Sequence, residues 1–182
     1  MKKLIMWNVV TLDGCFEGKK PWDLDFHNLV WGDELERLSI EQLDSADALI
    51  FGAATYKGMA SYWSKEKGDI ADRMNRIQKY ACSSKLANAD WNNTTILKDA
   101  VSEISKLKEK GDGNMFVFGS AALSNSLANA GLFDEYRLCL APVILGQGRR
   151  LFNSGLPYQE LSLLETRQLS TGGVLLRYGR KD

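Results

Sequence analysis

The chain has 182 residues, 45% of them hydrophobic and 25% charged, the balance of a globular protein that buries a core, and is expected to form one domain over residues 1–182. Lysine plus arginine equals aspartate plus glutamate at 23 each, and no basic run occurs, which argues against nucleic acid or an acidic membrane as partner. No apolar run could span a bilayer, and Cys15, Cys82 and Cys139 are too far apart for a disulfide framework, so a reducing cytoplasm is expected. With His27 the single histidine, no metal site is expected either.

In chain order, Lys3 to Val10 reads as a first strand closed by the turn signal Asp13-Gly14. Glu17 to Asp25 holds Gly18, Pro21 and several charges and reads as a loop. Asp33 to Leu43 spaces Leu35, Leu38 and Leu43 as one face of a helix. Asp47 to Gly52 is a short buried strand and Tyr56 to Trp63 a short helix, with an exposed charged helix opening near Asp69. Lys79 to Ser83 and Thr94 to Leu97 read as strands, Val101 to Lys108 as a helix ended by Gly111-Asp112-Gly113.

The stretch Asn114-Met115-Phe116-Val117-Phe118-Gly119-Ser120-Ala121-Ala122-Leu123 is the centre of the pattern: a buried strand, a small-residue turn, then a helix to Asn129. Such a turn leaves free N–H groups at the positive end of a helix dipole, which suits phosphate, although the fingerprint GxGxxG is absent. Glu135 to Ala141 and Leu161 to Leu169 follow as strands, and Val174 to Tyr178 folds back on the latter across Thr171-Gly172-Gly173. Alternation of strands and helices up to about residue 130, then strands, predicts an α/β fold of three layers. Its central mixed sheet is mostly parallel, with an antiparallel C-terminal edge.

Ligands of open α/β sheets sit beyond the carboxyl ends of the strands. Three such ends carry suitable residues: Gly52-Ala53-Ala54-Thr55, Ser83-Ser84-Lys85 and Gly119-Ser120-Ala121-Ala122. Taken singly, each reads first as structural: Thr55 as a cap, Ser84 as a turn residue and Lys85 as a solvated charge. Three in succession make a groove for an extended dinucleotide.

The ordered pieces VVTLDG (9–14), DALIFGAATY (47–56), KYACSSKL (79–86), NMFVFGSAAL (114–123) and LFDEYRLCLAPVILGQGRRLF (132–152) resemble the dihydrofolate reductase-like family. They are most similar to small relatives of the reductase domain of bifunctional riboflavin-biosynthesis enzymes. The resemblance implies a homodimer that binds NADPH, with NADH left open, and acts on a small heterocycle, a ribosylaminopyrimidine or a pterin. By position, Gly52, Ala53, Ala54, Thr55, Ser83, Ser84 and Lys85 would hold the adenosine 2′-phosphate end. Gly119, Ser120, Ala121, Ala122 and Leu123 would receive the pyrophosphate, and the strand end at Val10 would border the nicotinamide. Ala53 stands where the family commonly has arginine, so Lys57 or Lys85 is the expected substitute.

The proton source is less determined. The loop Pro21-Trp22-Asp23-Leu24-Asp25-Phe26-His27 is similar to the dihydrofolate reductase loop that carries a tryptophan followed by an acid. Asp25 is the first candidate for a catalytic carboxylate and Asp13 the second, with Asp23, Trp22 and Gly146 expected at the substrate. Asp23 and Asp25 read equally as loop residues, Asp13 as a turn residue and His27 as a surface residue. Arg149 and Arg150 read as solvated, although the resemblance places their loop beside the cleft. Alternatives are a dihydrofolate reductase, or a dimeric nucleotide-binding protein without reductase activity.

Overall fold

The computed structural model describes residues 1–181. Its centre is β1 (Lys3–Thr11), eight of whose nine residues are buried, because neighbours cover it on both edges and both faces. It pairs in parallel with β6 (Asn114–Phe118) on one side and with β7 (Glu135–Ala141) on the other. Beyond β6 lie β3 (Ala46–Gly52), β4 (Gln78–Cys82) and β5 (Thr94–Leu97), all parallel. Beyond β7 lie β10 (Val174–Arg180), which runs antiparallel, and then β9 (Leu161–Gln168) at the edge. The eight strands make one mostly parallel sheet with an antiparallel C-terminal side, the expected α/β arrangement.

Alternation along β1 sorts the core into two layers. Ile5, Trp7 and Val9 meet Leu35, Leu38 and Leu43 of α1 (Asp33–Asp44), Tyr56 of α2 (Ala53–Trp63) and Met74 of α3 (Asp69–Arg76). Leu4, Met6 and Val10 meet Ile104 of α4 (Ala100–Lys108) and Leu123 and Leu127 of α5 (Ala121–Asn129). The helix at Asp69 is therefore not simply exposed, since Ala71 and Met74 are buried. Lys79 is also buried; its ammonium closes the end of α3 by donating to the carbonyls of Met74, Asn75 and Ile77 and lies 4.6 Å from the Trp91 ring centroid.

Two elements differ from the sequence reading. Cys15–Glu17 is a strand, β2, paired antiparallel with β8 (Arg149–Arg150), so Glu17 belongs to a small second sheet rather than to a loop. Strands of three and two residues carry no readable period, and these partners lie far apart in sequence. Helix α2 starts at Ala53 rather than Tyr56, because the chain enters it directly from extended Gly52; Thr55 therefore sits inside the first turn and does not cap it.

Glu135 ties the C-terminal half of the sheet together. Its carboxylate accepts from Arg137 Nε at 2.6 Å and Arg177 Nε at 2.7 Å, and Arg177 also reaches Glu165 at 2.8 Å. Burial works to raise the Glu135 pKa, but the bonds from Arg137 and Arg177 outweigh it and hold it below its ordinary value of 4.5. A depressed carboxyl pKa contributes stability that is complete above the unfolded value and is lost as pH falls through the folded one. Replacing Glu135 by Gln is expected to cost about 2 kcal/mol at neutral pH by removing the negative charge that Arg137 and Arg177 share. Urea denaturation should show this difference shrinking below the 4.5 of the free carboxyl.

Candidate active site

A cleft of about 710 Å³ opens at the carboxyl ends of β1, β3, β4 and β6. Gly52, Ala53, Ala54, Thr55, Ser83, Ser84, Gly119, Ser120, Ala121, Ala122 and Leu123 all line it, so the three expected turns meet in one space. They meet because Gly52 has no side chain: a Cβ there would overlap the Ser120 hydroxyl. Gly119 (φ +61°) and Ser120 (φ +54°) are both left-handed, which swings the chain from β6 into α5. A Cβ on Gly119 would come within 3.2 Å of the Thr55 methyl. Neither α2 nor α5 has a side-chain cap, so both helix starts present N–H groups to the cleft.

The other end of the cleft is walled by three helical stripes. Trp31 leads into Leu35, Ser39 and Gln42 on α1; Thr55, Met59 and Trp63 follow at intervals of four on α2; Ile70 and Met74 do so on α3. Trp7, Val9 and Phe118 form the floor. Trp22 covers the mouth, its indole lying so close to Gly58 of α2 that a Cβ there would overlap it. This tryptophan is held in the left-handed region (φ +65°), where Glu17 Oε1 accepts its N–H at 2.7 Å.

Six expected site residues stand elsewhere. Asp13 is turned away from the cleft: it accepts from Thr11 Oγ1 at 2.6 Å and from the N–H groups of Leu145 and Gly146, fastening two loops. The Thr11 hydroxyl, followed by those amides, holds its carboxyl below the ordinary range. Gly146 is exposed and serves that contact rather than the cleft. Asp25 is exposed at the start of a short 3-10 turn, Asp25–Leu29, outside the lining. Asp23 packs against Gly18 instead. Val10 points into the core layer of Leu4 and Met6, while Trp7, Asn8 and Val9 reach the cleft. Lys85 is exposed and off the cleft, as is Lys57.

The carboxylate that does line the cleft is Glu17, paired with Arg149 across the small sheet at 3.5 Å. Lys98, just past β5, lines the end nearest Ser83 and Ser84, its ammonium donating to the Leu86 carbonyl. His27, expected at the surface, is turned inward by its 3-10 turn and meets Phe26 edge-on at 4.8 Å. Among the described residues three buried side-chain polar atoms lack a partner, Asn8 Nδ2, His27 Nε2 and Gln42 Nε2, and all three residues line this cleft. Unpaired buried groups are rare, and each calls for a partner such as a ligand or an ordered water. Among the described residues no cluster of three metal-ligating side chains occurs, and no helix is long and apolar enough to cross a membrane.

Residues 2–175 match the model of the RibD C-terminal domain. The chain belongs to the RibD C-terminal domain family. The uncharacterized protein YyaP of Bacillus subtilis (strain 168) is 26% identical over 185 residues, covering 97% of this chain and 94% of that one. The fold is similar to a putative riboflavin biosynthesis protein from Shewanella sp. PV-4, with TM-score 0.81, 16% identity and 99% of each chain covered. It is also similar to dihydrofolate reductase from Enterococcus faecalis complexed with NADP(H) and RAB-propyl, with TM-score 0.66, 14% identity, and 99% and 97% coverage. At these identities the structural likenesses speak to fold alone, and the fold is that of both groups.

Burial pushes the His27 pKa down from 6.5 to about 4. The unfolded ring then binds a proton between those values that the folded ring refuses, so stability present above 6.5 is lost as pH falls toward 4. The chain's single imidazole should stay neutral at about pH 5 in a ¹⁵N-resolved NMR titration, while the urea midpoint falls as pH drops below 6.5.

Proposed function

We propose that this RibD C-terminal domain family member is an NADPH-dependent reductase of a small heterocycle. The observation that carries the reading is the pair of uncapped helix starts, α2 and α5, facing one cleft beside two orphaned amides and an orphaned imidazole. Left-handed Ser120 and the first N–H groups of α5 would hold the pyrophosphate. The α2 start with Ser83, Ser84 and Lys98 would take the adenosine 2′-phosphate. Lys98 thus fills the role that Ala53 leaves open, in preference to Lys57 or Lys85, which stand off the cleft. Asn8 shares its face of β1 with Leu4, Met6 and Val10 and lies one residue past the Trp7–Phe118 pairing. It therefore stands beside the Gly119 turn, where it would border the nicotinamide.

The bound cofactor would supply hydride to a C=N or C=O carbon. The protein's part is orientation, exclusion of water and a proton. Trp22 and the helical stripes enclose the acceptor. Glu17 is the carboxylate placed to relay a proton, directly or through one water, to the atom beside the reduced carbon. That role passes to Glu17 from Asp25 and Asp13, which are not in the cleft. Arg149 keeps Glu17 at the mouth, and the Trp22 N–H fixes the carboxylate orientation.

Lys98→Ala should weaken NADPH about 10-fold, the loss of one charge-assisted contact, and leave NADH unchanged; paired calorimetric titrations read both. Equal effects on the two nucleotides would place the 2′-phosphate elsewhere. Glu17→Gln keeps an acceptor for the Trp22 N–H, so it should lower kcat about 100-fold on a reducible pterin or pyrimidine with unaltered NADPH affinity. An unaltered kcat would remove Glu17 from the chemistry.

A further inference from the structure

The reductase reading leaves open what the inner compartment between α1 and α2 takes. Its charge inventory decides most of this. The lining groups that carry formal charge are Glu17, Arg149 and Lys98. Lys98 belongs to the Ser83–Ser84 end, and Arg149 is paired with Glu17 at the mouth, with 62% of its side chain exposed. Trp22 and Trp31 at the rim, with Trp63, Met59 and Met74 further in, offer a surface suited to flat rings. A phosphate monoester carries about −1.5 to −2 charges at neutral pH and needs cations or clustered N–H donors. This interior supplies neither.

Two polar groups within it remain to be matched. Gln42 is 2% exposed, and its Oε1 accepts from Arg137 Nη1 at 3.2 Å. A flipped amide would set its NH2 against that guanidinium, so the orientation is fixed and Nε2 is a donor without an acceptor. His27 Nε2 is likewise unpaired, and a neutral imidazole nitrogen there serves as donor or acceptor according to its tautomer. A ring carbonyl answers Gln42, and a ring nitrogen or carbonyl answers His27.

We infer that the inner compartment accepts an uncharged planar heterocycle that carries no phosphate, a ring carbonyl of it bonded to Gln42, a polar ring atom to His27, and its faces packed on the apolar lining. This rests on the reductase reading for the position of the cofactor, and it selects the unphosphorylated members of the heterocycle class named there. Within the lining, a phosphoribosyl group would have to sit at Arg149, where it would compete with Glu17 for that cation.

The test is a titration of tryptophan fluorescence with lumichrome, riboflavin and riboflavin 5′-phosphate, run with and without saturating NADP⁺. Lumichrome and riboflavin should bind at micromolar concentration, with the 5′-phosphate at least about 10-fold weaker than riboflavin. Gln42→Leu should lose about 10-fold in lumichrome affinity with NADP⁺ affinity unchanged, which also certifies the fold of the variant. A 5′-phosphate that binds as tightly as riboflavin, and is weakened by Arg149→Ala, overturns the inference. So does saturable NADP⁺ binding with no response to lumichrome or riboflavin, or a Gln42→Leu variant that binds lumichrome like the wild type. Lumichrome binding without any NADP⁺ binding sustains the compartment and sinks the reductase reading instead.

Discussion

The contact on which the site depends is the approach of Gly52 to Ser120. Those residues end neighbouring parallel strands, β3 and β6, and each starts a helix. Any side chain at Gly52 would occupy the Ser120 hydroxyl's place and push the two helix starts apart. Their closeness puts two positive dipole ends on one cleft with no side chain spent on capping either. Helix starts left uncapped forgo about 1 kcal/mol each, a cost that a bound anion repays and that an empty turn would not.

The same sheet order gives the cleft two chemically distinct ends. Toward β4 and β5 it has hydroxyls, Lys98 and helix N–H groups, and toward α1 and α3 it has tryptophan, leucine and methionine. Glu17 and Arg149 stand at the mouth of the apolar end on a small sheet that also positions Trp22. Polar recognition and ring packing are thus separated along one trench, the separation that the proposed hydride transfer between two differently shaped molecules calls for. Glu17 is nearly buried, and its charge is met by Arg149 and by the Trp22 N–H rather than by the rings.

Much of this was legible in the sequence. Long apolar runs such as residues 3–10 and 114–118 have only one reading in an α/β chain, and glycine or serine after them marks the strand ends where ligands sit. Thr55, Ser84 and Ser120 were found in that way. The acid was not. Glu17 reaches the cleft through a three-residue strand whose partner, Arg149–Arg150, follows more than 130 residues later, a pairing that no local period encodes. Asp13 and Asp25 are as close to the first strand in sequence, but a turn commits one to backbone amides and a 3-10 turn exposes the other. That same turn carries His27 inward. Gln42 read as one more polar residue of an amphipathic helix, and only its contact with Arg137 reveals an unspent donor. Lys98 escaped notice because a strand of four residues gives little sign of where its end will lie.

The central claim is that one dinucleotide lies across both helix starts. ³¹P NMR of NADP⁺ titrated with the protein tests it directly, because the pyrophosphate and 2′-phosphate resonances report the two ends separately. The account predicts that all the phosphorus signals shift or broaden together and saturate at one equivalent. Perturbation of the pyrophosphate alone, or of no signal at all, would contradict it.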